Sequence, residues 1–320
     1  MIDVYERDVQ GDSTDDLAAP IGKSRTAIRR TAVNRRMAQQ LLDFRIMKLG
    51  GLEGAIFRTL HFSRDKRSRH WQAEEDSSFR VWAPEAAASG VRVGAYWSYR
   101  QGIPVKEQVQ EFLAAIRRSC HARRRYVAQG ETSTPLIGQK ILLAVDSAYH
   151  DHGEKETDVA VLRRTLEALR ELHNQTGVWP GYYPEIGGRE EGGITDIFAS
   201  ASKELTADEL ADFRHCWLWI SSYSAEPHEF AMRAFMQIWP TWTLWQYCPS
   251  ETWQRKDKDG WIPAKTSRED YAGGLATLSF TEYPRGIMGA AAPLDCNRVN
   301  PVAGTLDELW SHHGWMVIRQ

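Results

Sequence analysis

Short apolar, β-branched runs alternate along the chain with stretches of helical periodicity, the rhythm of a largely parallel α/β sheet. The runs predict strands at 2–5, 54–60, 92–99, 141–147, 178–183, 217–223 and 243–247, with a last one at 286–289. Apolar residues at three- and four-residue spacing predict helices at 106–117 and 158–175. Residues 86–90 read as the C-terminal turn of another, with Gly90 as its stop. Five consecutive apolar residues, Ile141 to Val145, run straight into Asp146, as in a strand covered on both faces that ends at a polar site.

Two segments interrupt the rhythm. Residues 12–43 contain SRTAIRRTAVNRRMAQQLL, an Arg-rich amphipathic helix or helix pair. Its basic stretch, 24–42, is either a solvated face or a contact for an anionic surface or a protein partner. Residues 250–285, from SETWQRKDKDGW onward, form a polar excursion before the last predicted strand. Neither has the apolar residues for a core of its own, so both read as insertions on one domain. At 320 residues, a single α/β barrel is of ordinary size.

Composition narrows the partners. With 26% charged residues and a net charge of −2, nothing global demands a nucleic acid. No apolar run reaches membrane-spanning length. The opening MIDVYERDVQGDSTDD lacks the basic and apolar parts of a secretory signal. This predicts either synthesis in the cytoplasm, with release or delivery by other machinery if the substrate lies outside, or a chain in its mature form. Cys120, Cys216, Cys248 and Cys296 are far apart and form no CxxC pair, which speaks against a zinc or thioredoxin-like centre. Counting leaves both buried thiols and two disulfides open; Cys216 and Cys248 flank apolar strands, where a buried free thiol is expected. Thirteen Trp and eleven Tyr stand out. A flat ring with a polar edge suits a core or the face of a sugar.

In α/β barrels, catalytic groups gather where strands end, because the loops there converge over the barrel mouth. Four such places carry suggestive residues. In Ile2-Asp3-Val4-Tyr5 an acid stands in an apolar strand and is costly to bury. Asp3 therefore faces the mouth, finds a partner, or serves as a cap or turn. At the end of 141–147, positions 146 and 148 share a face. A glycosidase sets two carboxyl groups about the scissile bond; Asp146 supplies one, while position 148 is Ala. Trp242-Thr243-Leu244-Trp245-Gln246-Tyr247 offers a stacking platform and hydrogen bonds for hydroxyl or acetamido groups. Leu294-Asp295-Cys296-Asn297, after the strand at 286–289, adds a carboxylate and an amide. His150-Asp151-His152 could begin the metal site of a deacetylase. No third ligand at matching spacing accompanies it, and a solvated loop explains it more simply.

Taken in order, these segments resemble the glycoside hydrolase family 25 muramidases. Ile2-Asp3-Val4-Tyr5 stands where members read Ile-Asp-Val-Ser. Val93-Gly94-Ala95-Tyr96-Trp97-Ser98 stands at their Val-Gly-Ala-Tyr-His-Phe, after a helix end in Ala88-Ser89-Gly90. Gln108-Val109-Gln110-Glu111-Phe112-Leu113 fits their Gln-rich helix, and 176–183 resembles their fifth strand. Leu218-Trp219-Ile220-Ser221-Ser222-Tyr223, Leu244-Trp245-Gln246-Tyr247 and Leu294-Asp295-Cys296-Asn297 match Leu-Trp-Ile-Ala-x-Tyr, Leu-Trp-Gln-Tyr and Val-Asp-x-Asn. The resemblance spans nearly the whole chain apart from the two insertions.

It implies an irregular, flattened TIM-like (β/α)5β3 barrel that hydrolyses the β-1,4 bond between N-acetylmuramic acid and N-acetylglucosamine in peptidoglycan, without cofactor or metal. By position, Asp3 and Asp295 match the outer acids of the family's site, and Asp146 matches the Asp of its Asp-x-Glu pair. The Glu that donates the proton falls on Ala148. Another register would put Asp146 at the Glu and Ala144 at the Asp, but Ala144-Val145-Asp146-Ser147-Ala148 lines up without a shift. Tyr96, Tyr183, Trp219, Tyr223, Trp245, Gln246 and Asn297 are expected to line the groove. A second departure is Arg58-Thr59-Leu60-His61-Phe62, where the family has Lys-Ala-Thr-Glu-Gly. The resemblance thus leaves three possibilities: an enzyme whose Glu is altered, a glycan binder that does not cut, or another acid such as Asp151 or Glu185.

Overall fold

The structure is a computed structural model that describes residues 2–4, 42–64, 71–100, 102–120, 136–147, 157–184, 195–221, 233–248, 255–257, 260–262, 280–282, 286–287 and 295–317. After β1 (Ile2–Val4) comes α1 (Phe44–Leu49), capped by Asp43. β2 (Gly54–Arg64) folds back as β3 (Trp71–Glu75), and α2 (Ser77–Ala88) begins where the Asp76 side chain accepts from the Ser78 N–H. β4 (Arg92–Ser98), α3 (Val105–Cys120), β5 (Lys140–Asp146) and α4 (Asp158–Thr176) follow. α4 runs from its Thr157 cap to Gly177, whose φ of 75° is open to glycine and strained for other residues. Next come β6 (Gly181–Tyr183), α5 (Thr195–Ala201), α6 (Ala207–His215), β7 (Trp217–Ser221) and β8 (Leu244–Cys248). The C-terminal part adds β9 (Arg255–Asp257), β10 (Gly260–Ile262), β11 (Phe280–Glu282), β12 (Gly286–Ile287), β13 (Asp295–Val299), α7 (Leu306–His313) and β14 (Gly314–Met316).

The strand pairings form a ring. β1 pairs in parallel with β2, and the parallel ladder continues through β4, β5, β6, β7 and β8. β13 runs antiparallel to both β8 and β1, which returns the pairings to their start. β3 extends β2 beyond the ring, and β14 pairs with the beginning of β5.

Alternation along the strands divides the apolar residues into two cores. Trp97, Leu143, Val145, Leu218 and Trp245 point outward and pack with the helices, among them Phe112, Leu166 and Phe213. Ile56, Tyr96, Leu142, Ala144, Trp217, Trp219 and Leu244 fill the lumen. Leu309 and Trp310 of α7 join this inner core, and Trp310 Nε1 donates to the Val93 carbonyl at 3.0 Å. α7 therefore plugs the end where the strands begin and leaves the opposite end for a mouth.

Several expected elements change. The closing strand is β13, not 286–289: among the described residues Gly286–Ile287 pairs with Phe280–Glu282, whereas Asp295–Val299 bridges β8 and β1. The strand expected at 178–183 is only Gly181–Tyr183, because Pro180 has no N–H to give a ladder. Within 250–285 lie β11 and the β9–β10 hairpin. Of the basic insertion, residues 12–41 fall outside the described residues.

Candidate active site

Leu142 and Ala144 face the lumen, and Asp146, the last residue of β5, follows on the same side. Its row partners are Ser98 on β4 and Tyr183 on β6. All three are half-buried at the end where parallel strands finish. Ser98 Oγ donates to Asp146 Oδ2 at 2.8 Å. The backbone is locked as well: Tyr99 N–H donates to the Asp146 carbonyl at 2.8 Å, and Ser147 N–H to that of Tyr183 at 3.1 Å.

Beneath and beside Asp146 lies an aromatic floor. Trp219 meets Tyr96 edge to face, with ring centres 5.9 Å apart, and Tyr183 at 4.5 Å. Trp219 Nε1 donates to Asn297 Oδ1 at 2.6 Å, and the Tyr183 hydroxyl donates to Gln246 Oε1 at 2.7 Å. Gln246 and Asn297 are direct partners across β8 and β13. Buried amides thus hold both rings, which fixes the floor's shape. Trp219 is 1% exposed, so it supports the mouth from below.

Of the other residues expected in the site, Asp3 and Asp295 stand directly opposite each other in the β1–β13 register. The ring thus sets these two positions on adjacent strands, with β2 and β4 between β1 and the strand of Asp146. Trp245 corrects the expectation. It points away from the lumen into the outer core against Trp242, with centres 6.0 Å apart, because it alternates with the inward Leu244. Ala148, Tyr223, Asp151, Glu185 and the trio His150-Asp151-His152 lie outside the described residues.

Two arginines that sequence reasoning left out of the site stand at this end of the barrel, and one of them, Arg100, feels the Asp146 charge. Arg58, on β2 in register with Tyr96, gives its Nε to Asp76 Oδ2 at 2.8 Å. Arg100 follows β4. Burial lowers its guanidinium below the ordinary value, the Asp146 charge opposes that shift, and the Arg58 charge adds to it. On the outer face of β6, burial raises the Tyr182 phenol, and the Asp146 charge pushes it the same way. Arg58 was visible only as a departure from a family motif. Asp76 before Ser77-Ser78 carries a readable helix-start signal, but nothing local says that it also meets Arg58. Among the described residues, no group of three or more His, Cys, Asp or Glu gathers as metal ligands would. None of the described helices is long and apolar enough to cross a membrane.

No family model matches the sequence, and no curated protein matches it. Solved structures do resemble it. A bacterial lysozyme from Streptomyces coelicolor superposes with a TM-score of 0.50 at 13% identity, over 86% of this chain and 92% of that one. The spore cortex lytic enzyme of Clostridium perfringens gives a TM-score of 0.50 at 13% identity, over 84% of this chain and 65% of the other. The chain therefore has the lysozyme barrel fold, the fold that its motifs led one to expect of a family 25 muramidase.

Proposed function

We propose that the chain is a peptidoglycan hydrolase of the 1,4-β-N-acetylmuramidase type, directed at the bond between N-acetylmuramic acid and N-acetylglucosamine. Asp146 is the observation that carries this reading: a half-buried carboxylate at the mouth of a lysozyme-type barrel, held by Ser98 above a floor of aromatic rings. In such a site, Asp146 stabilises positive charge developing on the sugar ring, or orients the acetamido group. Asp3 and Asp295 complete the set of carboxylates. Tyr183, Gln246 and Asn297 shape the groove wall and Tyr96 with Trp219 its floor.

Acid catalysis also needs a proton for the leaving oxygen, and the position that would provide it is Ala148. Loss of a general acid costs roughly 10²–10⁴-fold in rate. That one residue favours a second reading, in which the chain binds glycan strands without cutting them. Either way, action on the cell wall follows release or delivery of the protein.

The test compares the chain with its Ala148→Glu variant on purified peptidoglycan, measuring muramic-acid reducing ends. The variant is expected to release them about 10²-fold faster or more. Equal rates would overturn the assignment of position 148. Sedimentation of the unaltered chain with peptidoglycan, without reducing ends, supports the binding reading.

A further inference from the structure

Gln108 lies in the second turn of α3 and is fully buried, although its side chain is polar. Its carboxamide is turned toward the backbone that leaves β4. Gln108 Oε1 accepts from the Arg100 N–H at 3.0 Å, while Nε2 donates to the carbonyls of Arg100 at 2.8 Å and Ile103 at 2.9 Å. One acceptor and both hydrogens of the amide are thereby used. A neighbouring strand would offer Arg100 the same pair of partners. On the other edge of the chain, the Tyr99 N–H donates to the Asp146 carbonyl, just past the ladder positions Ser98 and Asp146. Gln108 takes the place of such a strand at the residue where the chain leaves the barrel wall. Gly102, with a φ of 83°, then turns the chain toward α3.

We propose that Gln108 is a positioning residue of the candidate site: by tying both backbone polar groups of Arg100 it sets that guanidinium beside Asp146 and keeps Asp146 the charged, non-donating carboxylate. This rests on the reading of the barrel mouth as the site. Among the described residues, the charged or titratable groups beside Asp146 are Arg100 after β4 and Tyr182 and Tyr183 on β6, and Arg58 on β2 acts on Arg100 in turn. Arg100 is the cation next to Asp146 whose backbone a single side chain holds, so removing Gln108 frees the charge to move. With Asp146 held ionised, the proton for catalysis has to come from another group, which gives position 148 its importance.

The test follows the Asp146 carboxyl carbon by NMR through a pH titration of the full chain. Replacing Arg100 by Gln removes a positive neighbour, favours the protonated carboxyl and moves the midpoint upward. Gln108→Leu is expected to move it in the same direction. The double variant should go no further than Arg100→Gln alone, since Gln108 acts through Arg100. Should Gln108→Leu fail to fold, Gln108→Asn keeps an amide in the core but is too short to hold both groups, and gives a smaller upward move. A lowered melting temperature with an unmoved midpoint in the Gln108 variants would reduce Gln108 to a structural residue and overturn the proposal. So would an Arg100→Gln variant that titrates like the parent. No glycan enters this measurement, so its failure leaves the muramidase reading standing, and that reading fails separately if Ala148→Glu releases no reducing ends.

Discussion

Asp76 joins a helix end to a guanidinium from a position out of water. Its carboxylate accepts the Ser78 N–H at 2.9 Å, which caps α2, and the Arg58 Nε at 2.8 Å. The Asp76 side chain is 0% exposed and that of Arg58 23%. Removing one partner of such a pair leaves a buried charge without compensation, which costs more than the pair itself contributes. Arg58→Met is therefore expected to lower unfolding stability by about 3 kcal/mol, read by urea denaturation. Arg58→Met combined with Asp76→Asn should recover most of that loss, because Asn still caps the helix and carries no charge. A double variant no more stable than the single one would show that the ion pair is not the cause. The sequence showed Arg58 and Asp76 separately. Their meeting depends on β2 and β3 bringing residues 18 apart to one spot.

Among the elements, β6 shows best how one residue sets a layer of the lumen. Gly181 is the register partner of both Ala144 and Trp217, and the Trp217 ring lies where a Gly181 Cβ would stand. The small residues at 144 and 181 make room for that indole, whose neighbour Trp219 forms the floor of the site. Gly181→Ala is expected to destabilise the fold by about 1–3 kcal/mol, since a packed core has no space to shift the ring. Trp217→Leu added to it should cost less than the sum of the two changes, as for residues that share a contact. Strict additivity in thermal melts would contradict this packing. The strand itself was legible, but its start was not, because apolar Val178 and Trp179 extend the pattern across Pro180. Trp179 packs between His173 and His215, with ring centres at 4.1 and 5.3 Å. α6 and α7 carry local start signals in their capping boxes, Thr206 with Glu209 and Thr305 with Glu308.

For the molecule as a whole, the C-terminal segment decides whether the barrel has a closed end. α7 and β14 bring Leu309, Trp310 and His313 under the strands. The His313 ring sits 3.1 Å from the Trp179 carbonyl. Burial lowers its pKa below the ordinary 6.5; the bond to Trp179 opposes that shift, and the nearby His312 charge adds to it. With the folded value depressed, the unfolded chain takes up the proton more readily. Stability is then full above the ordinary value and is lost as pH falls from there toward the folded-state value. Melting temperature should therefore fall on acidification from about pH 7 to about pH 5, and His313→Gln should make that slope shallower. An unchanged slope would place the acid sensitivity elsewhere.

What the sequence determined by itself is what local chemistry can encode. The apolar runs placed β4, β5, β7 and β8, and the run into Asp146 marked the strand end that faces the mouth. Ordered motifs pointed to the lysozyme barrel before any pairing was known. Tertiary structure decided which strand closes the ring, because Asp-Cys-Asn-Arg-Val has no apolar pattern and becomes a strand only between β8 and β1. It also decided that Trp245 belongs to the outer core, since one step along a strand reverses the face. Finally, it brought Arg58 to Asp76, and Arg100, held by Gln108, to Asp146. These residues come from separate elements, and charge and hydrogen-bond partners act through space, so no local pattern could announce their meeting.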